Sequence, residues 1–180
     1  MAAELVPGPG CPEALDLRPF DPRYAGLVAS WARGPLETYW LAPRTEPPLT
    51  ARKVREWADP AHRPYMLVAP GQPTPLGYGE LNLLHGRRHE YWLGHLVVDP
   101  EQRGRGFGRQ LTVLLLQRAF HQFGAWYVSL VVFPENVAAV ACYRAAGMRE
   151  DGFEIHTFPA YGSRERLLRF IATSPPPAVA

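Results

Sequence analysis

A glycine- and arginine-rich stretch, VVDPEQRGRGFGRQLTVLLL at residues 97–116, has the composition of an anion-binding loop. Its glycines and arginines are Gly104, Gly106, Gly108, Arg103, Arg105 and Arg109. An apolar run precedes them, and an amphipathic segment with helical spacing follows. The first amides of a helix have no partner inside the helix and attract negative charge. The stretch therefore predicts a strand, a loop and a helix whose N-terminus binds an anionic group.

Two other phosphate-binding motifs fit this loop less well. A P-loop ends in Gly-Lys-Ser or Gly-Lys-Thr, whereas Gly108 is followed here by Arg109 and Gln110. A dinucleotide-binding fingerprint requires a third glycine where Arg109 stands, and its glycines follow their strand directly. We therefore favour a nest of backbone amides at the helix start, which can hold a pyrophosphate without a metal. A glycine-rich surface turn with solvated arginines is the alternative.

The remaining sequence predicts a mixed α/β sheet, mostly antiparallel, that holds this strand–loop–helix unit at its centre. Period-two alternation and β-branched runs predict strands, whereas capping residues and helical spacing predict helices. The predicted strands are residues 14–20, 65–69, 76–84, 90–98, 126–133, 153–158 and 164–171. The predicted helices are residues 22–32, 50–58, 109–123 and 136–146. Short connections between the second, third and fourth strands predict an antiparallel meander.

Length and composition predict one domain and disfavour several functions. The chain has 180 residues and a net charge of +2, which is small for a nucleic-acid-binding surface. We expect a single domain at residues 13–173, with flexible tails at 1–12 and 174–180 that are rich in proline, glycine and alanine. No basic leader precedes an apolar run, and no apolar run reaches the roughly 18 residues of a membrane span. We therefore expect a cytoplasmic protein without membrane or nucleic-acid partners.

The loop and its surroundings resemble the GNAT superfamily of N-acyltransferases. The family pattern Gln/Arg-x-x-Gly-x-Gly/Ala is matched by Arg103, Gly106 and Gly108, and LVVDP matches the strand before it. LVVFPENVAAVACYRAAGM is similar to a second family block, a strand followed by Asn and a helix that carries Tyr. The long N-terminal part, with LVASWARGPLETYWLAP, is most similar to ribosomal-protein and aminoglycoside acetyltransferases. The resemblance implies the family's sheet, with helices on both faces and fourth and fifth strands that splay apart.

The resemblance also implies acetyl-CoA as co-substrate and no metal. In the family, the pyrophosphate of the cofactor lies on the loop amides, and the pantetheine arm pairs with the fourth strand. The thioester then sits in the gap between the fourth and fifth strands. The implied cofactor-binding residues are Leu96, Val97, Val98, Arg103, Gly104, Arg105, Gly106, Phe107, Gly108, Arg109 and Asn136.

Asn136 and Tyr143 lie seven residues apart in one predicted helix. Seven residues are about two turns, so both side chains fall on nearly the same face, about 10 Å apart along the axis. By resemblance, Asn136 binds the cofactor arm, and Tyr143 is the general acid that protonates the departing thiolate. A helix N-cap for Asn136 and a half-buried aromatic for Tyr143 are the structural alternatives.

The residue that removes the amine proton is left open. Some family members carry a Glu on the fifth strand, where this chain has Val131. Glu80 lies in an apolar strand, where we expect burial to raise its pKa towards the working range. His95 lies beside the thioester gap, and histidine suits proton transfer at neutral pH. A solvated strand face for Glu80, shared with Tyr78 and Asn82, a hydrogen-bonded core histidine for His95 and a water chain are the alternatives.

These implications predict acetyl transfer from acetyl-CoA to a primary amine, by direct attack in a ternary complex. The acceptor is a small molecule or a protein N-terminus, and a homodimer is possible. By resemblance, the stretch between the first two helices forms part of the acceptor pocket, with Glu37, Tyr39 and Trp40 as lining. The alternative is a non-catalytic acyl-CoA-binding or regulatory domain, which the presence of Tyr143 disfavours.

Overall fold

The computed structural model describes residues 15–58 and 60–174. The tails predicted at residues 1–12 and 174–180 lie outside the described residues, apart from Ser174, and the domain limits stay a prediction. No helix within the described residues is both long and apolar enough to span a membrane.

The described residues form strands and helices in the order β-α-α-α-β-β-β-α-β-α-β-β. The strands are β1 (Asp16–Pro19), β2 (His62–Val68), β3 (Gly77–Leu83), β4 (Glu90–Val98), β5 (Tyr127–Val132), β6 (Arg149–Phe158) and β7 (Ser163–Thr173). The α-helices are α1 (Ala25–Ser30), α2 (Gly34–Leu41), α3 (Ala51–Glu56), α4 (Phe107–Gln117) and α5 (Val137–Ala145). A π-helical turn, Arg118–Gln122, continues α4.

The strands of the described residues form one sheet in the order β1-β2-β3-β4-β5-β7-β6. Neighbouring strands are antiparallel except β4 and β5, which are parallel. The predicted meander of β2, β3 and β4 is confirmed, and so is the predicted fold class, a mixed and mostly antiparallel α/β sheet.

Helices cover both faces of the sheet, as predicted. On one face, Leu115 of α4 packs onto β3 at Gly79, where a Cβ would lie 3.0 Å from Leu115 Cδ1. The absence of a side chain at Gly79 therefore sets how closely α4 approaches the sheet. On the other face, α1 and α3 contribute Val28 and Val54 to a separate apolar cluster with Tyr78 of β3.

The helix α2 is the main element that the sequence analysis did not predict. Pro35 lies in its first turn, which tolerates proline because the first amides need no partner inside the helix. Aromatic residues such as Tyr39 and Trp40 have only modest helix propensity. Both pack against an apolar cluster that contains Phe133 and Phe158, so tertiary packing stabilises this helix.

Two other boundaries also differ from the prediction. The predicted helix at residues 22–32 is a 3-10 turn, Pro22–Tyr24, followed by the short α1. The strand β6 begins at Arg149 rather than at residue 153. Its pairing with β7 shifts register between Glu150 and Phe153, so a bulge interrupts the alternation that the prediction required.

Candidate active site

The parallel strands β4 and β5 pair only at their beginnings, where residues 90–92 face residues 127–129. Beyond these pairs the strands separate, which confirms the predicted splay. A cavity of about 1150 Å³ lies in the gap, lined by the later residues of β4 and β5 and by the first turns of α4 and α5. Its size is that of a cofactor- or ligand-binding cleft.

The glycine-rich loop ends at this cavity, with Gly106 as the N-cap of α4. Its φ of 82° lies in the left-handed region, which favours glycine. The first amides of α4 have no carbonyl one turn back in the helix and face an open cleft. Gly108 has a different role, because a Cβ there would lie 3.2 Å from Cys142 Sγ. It therefore allows α4 and α5 to pack closely.

Arg103 and Arg109 of the loop are bound to other parts of the protein, whereas Arg105 donates to Gln102 within the loop. The guanidinium of Arg103 donates to both carboxylate oxygens of Glu37, at 2.8 and 3.0 Å, and to the carbonyl oxygen of Trp31 at 2.8 Å. Hydrogen bonding from Arg103 lowers the pKa of Glu37 despite partial desolvation. Arg109 donates to the carbonyl oxygen of Ala145 at 3.0 Å. These two side chains therefore hold the loop against α2 and α5.

The helix α5 carries both residues that its spacing singled out. The side chain of Asn136 accepts a hydrogen bond from the Ala139 amide at 3.2 Å, so its expected N-cap role is confirmed. Tyr143 is buried and lines the cavity together with Asn136. Burial raises the pKa of the Tyr143 hydroxyl, which therefore keeps its proton at neutral pH.

Glu80 is completely buried and surrounded by donors, so the solvated strand face is wrong. Tyr78 Oη donates to its Oε1 at 2.7 Å, and Asn82 Nδ2 donates to its Oε2 at 3.0 Å. His95 Nδ1 lies 2.9 Å from the same Oε1. Burial by itself would raise the pKa of Glu80, but His95 and the hydrogen bonds together hold it below the ordinary value. The expected upward shift is therefore wrong, because its partners outweigh its burial.

His95 connects this buried carboxylate with the cavity. It lies in a bulge where β4 has one more residue than β3, and its φ is 45°, an unusual value for a side chain with a Cβ. Its ring stacks on Trp57 at 3.8 Å between centroids, nearly parallel at 5°. Nδ1 faces Glu80, so Nε2 is the ring nitrogen on the opposite edge. The bulge thus turns the imidazole of a cavity-lining residue towards Glu80.

Two of the three residues predicted for the acceptor pocket line the cavity, and the third does not. Trp40 and Glu37 line the cavity, although Glu37 is already paired with Arg103. Tyr39 instead donates to Glu165 at 2.9 Å and packs against Phe133.

Several cavity-lining residues were missed as site residues by the sequence analysis, and they come from separate elements. They are Trp57, His62, Trp92, Glu154 and His156. No spacing rule joins α3, β2, β4 and β6, so only the assembled sheet brings these side chains together. Within residues 15–58 and 60–174, no group of three or more His, Cys, Asp or Glu side chains is placed to hold a metal ion.

The fold and the site define an α/β protein in which splayed parallel strands and the N-terminus of α4 line one cleft. The family described as Acetyltransferase (GNAT) family matches residues 29–148. The chain therefore belongs to the GNAT acetyltransferase family, and the resemblance found in the sequence is confirmed.

Curated relatives include acetyltransferases with different acceptors. The chain is 35% identical over 117 residues to N-alpha-acetyltransferase RimI of Mycobacterium tuberculosis, covering 64% of this chain and 70% of that protein. It is 31% identical over 170 residues to mycothiol acetyltransferase of Mycobacterium ulcerans, covering 79% of this chain and 49% of that protein. The chain thus spans about half the length of the mycothiol acetyltransferases from two Mycobacterium species and Paenarthrobacter aurescens, and 31% of the one from Saccharopolyspora erythraea.

Solved structures share the fold at low sequence identity. Spermidine N-acetyltransferase from Vibrio cholerae, in complex with CoA and spermine, aligns with a TM-score of 0.72 and 21% identity, covering 88% of this chain and 95% of that chain. The structure of AAC(6')-Ib in complex with ribostamycin and coenzyme A aligns with a TM-score of 0.71 and 20% identity, covering 89% and 94%.

Proposed function

We propose that this protein is an acyltransferase that moves an acetyl group from acetyl-CoA to a primary amine. The observation that carries the proposal is one cleft that combines free helix amides, the edge of a splayed strand, His95 and Tyr143. Membership of the GNAT family supports it, as do relatives named as acetyltransferases. No observation on the described residues favours a non-catalytic acyl-CoA-binding domain.

Acetyl-CoA binds with its pyrophosphate on the backbone amides of residues 104–109, where the helix dipole adds attraction. Its pantetheine arm runs along residues 96–98 of β4, whose edge towards β5 is left unpaired by the splay. Asn136 contacts the arm from the α5 side of the cleft. Cofactor binding thus relies on backbone groups more than on the loop arginines, which are already braced.

His95 removes the amine proton, and Glu80 is the positioning residue that holds it. Glu80 has no exposed surface and cannot touch the acceptor, whereas His95 is partly exposed in the cleft. The carboxylate beside Nδ1 fixes the tautomer in which Nε2 is free to accept a proton. The proposal thus gives different roles to the two residues that the sequence left as alternatives.

The reaction proceeds by direct attack in a ternary complex. Nε2 of His95 takes one proton from the acceptor ammonium, directly or through water, and later releases it to solvent. The nitrogen lone pair then bonds to the thioester carbonyl carbon, and a backbone amide of β4 near Leu96 stabilises the oxyanion. The C–S bond breaks as Tyr143 donates its proton to the thiolate. The second amine proton returns to Tyr143 through water.

The test is thiol release from acetyl-CoA by the full chain with a panel of primary amines and peptide N-termini, with mass spectrometry of the acetylated product. We expect amine-dependent release and an N-acetyl product for at least one class. Tight acetyl-CoA binding by calorimetry, with no amine-dependent release from any class, would overturn the proposal in favour of a binding domain. A homodimer and a cytoplasmic location stay predictions.

A further inference from the structure

We propose that the acceptor is a monoamine whose amine is attached to an apolar, aromatic body, and that the cleft disfavours polyamines. This inference rests on the proposed function, because it concerns the amine that receives the acetyl group. Two independent properties of the cleft support it, the aromatic character of its walls and the pairing of its charges.

Aromatic rings surround the position of the reacting amine. Trp57, which directly follows α3, stacks on His95 with the ring planes 5° apart. On β4, the ring of Trp92 covers Gly94, where a Cβ would lie only 2.5 Å from the indole. This glycine lets the indole lie over the strand next to His95. His62 of β2 contacts Trp92 edge to face, with the centroids 5.9 Å apart.

The opposite wall is also aromatic. Trp40 of α2 is half-buried and lines the cavity, and it packs against the cluster of Phe133, Phe158 and Leu167. An acceptor whose amine reaches His95 therefore extends between the indoles of Trp40 and Trp92, while the buried Trp57 supports the imidazole. Flat apolar groups gain most from such walls, because aromatic rings pack by stacking and edge contacts.

The carboxylates that line the cleft are each already paired with an arginine. Among the described residues they are Glu37, Glu56 and Glu154. Their partners are, in turn, Arg103 at 2.8 Å, Arg52 at 2.5 Å, and Arg169 at 3.3 Å together with His156 at 2.9 Å. A second ammonium on the acceptor would have to share one of these carboxylates with the arginine that already neutralises it.

A further arginine, Arg44, lies next to His156. Arg44 contacts Nδ1 of His156 at 3.2 Å and the ring of Phe158, and among the described residues it has no carboxylate partner. Its charge repels a second ammonium. Indole faces attract cations, but a primary ammonium keeps three N–H donors that aromatic rings leave largely unsatisfied. The cleft thus suits one amine, deprotonated at His95, and an uncharged aromatic remainder.

The deciding experiment compares 2-phenylethylamine, n-butylamine and spermidine as acceptors for the full chain with acetyl-CoA. We expect kcat/KM for 2-phenylethylamine to exceed that for spermidine, and that for n-butylamine, by about tenfold or more, the size of effect that apolar pocket contacts produce. Equal or higher kcat/KM for either other amine overturns the inference.

Binding to the CoA-loaded protein, measured by calorimetry, separates this inference from the proposed function. Preferential binding of 2-phenylethylamine without any turnover would contradict the acetyltransferase activity but support the aromatic acceptor site. Preferential or equal binding of spermidine, or no binding of 2-phenylethylamine, would overturn the site.

Trp40→Ala and its matched control Trp40→Phe test whether the ring at position 40 recognises the aromatic acceptor. We expect the Ala variant to raise KM for 2-phenylethylamine about tenfold, to change KM for n-butylamine much less, and to leave KM for acetyl-CoA unchanged. The Phe variant should keep most of the preference. Equal effects of Trp40→Ala on both amines would show that the wall does not recognise the ring. If the Ala variant does not fold, the preference of the parent protein and of Trp40→Phe still decides the matter.

Discussion

Neutralising Glu80 should destabilise the protein, although replacing an entire buried ion pair by apolar residues is often neutral or stabilising. The change Glu80→Gln keeps the size of the side chain and removes its charge. Three donors, from Tyr78, Asn82 and His95, now face two carboxylate oxygens. A glutamine offers one acceptor oxygen, and its NH2 group would face one of these donors.

The size of the effect follows from these contacts. A hydrogen bond to a charged group contributes about 1.5–3 kcal/mol, and a neutral one about 0.5–1.5 kcal/mol. Weakening three bonds therefore costs about 3 kcal/mol, which is partly offset because no charge is buried. The lowered pKa of Glu80 shows that the fold favours the charged form despite its burial. We therefore expect a net loss of about 1–3 kcal/mol in the free energy of unfolding at neutral pH.

The loss of stability in Glu80→Gln should be larger at neutral pH than at acidic pH. Because the pKa of Glu80 is lower in the folded state than its ordinary 4.5, its ionised form stabilises the fold at every pH above 4.5. This contribution disappears as the pH falls through the folded value. Urea unfolding of both proteins should therefore give a gap at pH 7 that shrinks below pH 4.5. Glu46→Gln, at an exposed position, is the control and should change stability by less than about 0.5 kcal/mol.

The same variant also tests how Glu80 acts on catalysis. If Glu80 positions His95, Glu80→Gln should lower turnover by about 10²-fold or more and alter the acidic limb of kcat/KM, with little change in acetyl-CoA affinity. His95→Gln should remove that limb. Equal stability of parent and Glu80→Gln at pH 7, or full turnover of Glu80→Gln across the pH range, would refute the reasoning.

Three further changes probe the rest of the cleft. Tyr143→Phe should lower turnover about 10²–10⁴-fold without changing acetyl-CoA affinity, and undiminished thiol release would contradict its role as the acid. Gly106→Val should weaken acetyl-CoA binding about 100-fold or more, because a branched residue at positive φ costs about 1–3 kcal/mol and covers the helix amides. Gly106→Asn, which tolerates this φ, should retain more affinity by calorimetry, and equal losses would exclude backbone strain as the cause. Glu37→Gln should lower the free energy of unfolding by only about 0.2–1 kcal/mol in thermal denaturation, because its pair with Arg103 is partly exposed. A larger loss would mean that this ion pair is a main contributor to stability.

The central sheet could be predicted from the sequence because its signals are local. Alternation, turn residues and the run of glycines at residues 104–108 act over a few positions, and they predicted β2 to β5 and the helices α4 and α5. The helix α2 was not predicted because Tyr39 and Trp40 become helical through contacts with Phe133 and Phe158, more than 90 residues further along the chain.

Only some members of the candidate site were selected from the sequence, and their arrangement was not predicted. Glu80 and His95 were both selected, yet their contact depends on a bulge in β4 that no pattern in GYGEL or WLGHL indicates. The sequence predicted that Glu80 is either solvated or has a raised pKa. In the structure, three donors surround its carboxylate and lower its pKa instead. Side-chain pKa values depend on partners from other strands, and a single sequence does not fix those partners.

The contact between Arg103 and Glu37 has a consequence for the order of events in the cleft. Arg103 belongs to the loop beneath the proposed pyrophosphate, and Glu37 belongs to the helix that carries Trp40. A displacement of either segment by its ligand is therefore transmitted to the other through one bidentate pair. Thermodynamic reciprocity then requires that the factor by which acetyl-CoA tightens acceptor binding equals the factor by which the acceptor tightens acetyl-CoA binding. Because the pair is partly solvent-exposed, we expect that cooperativity to weaken as ionic strength rises.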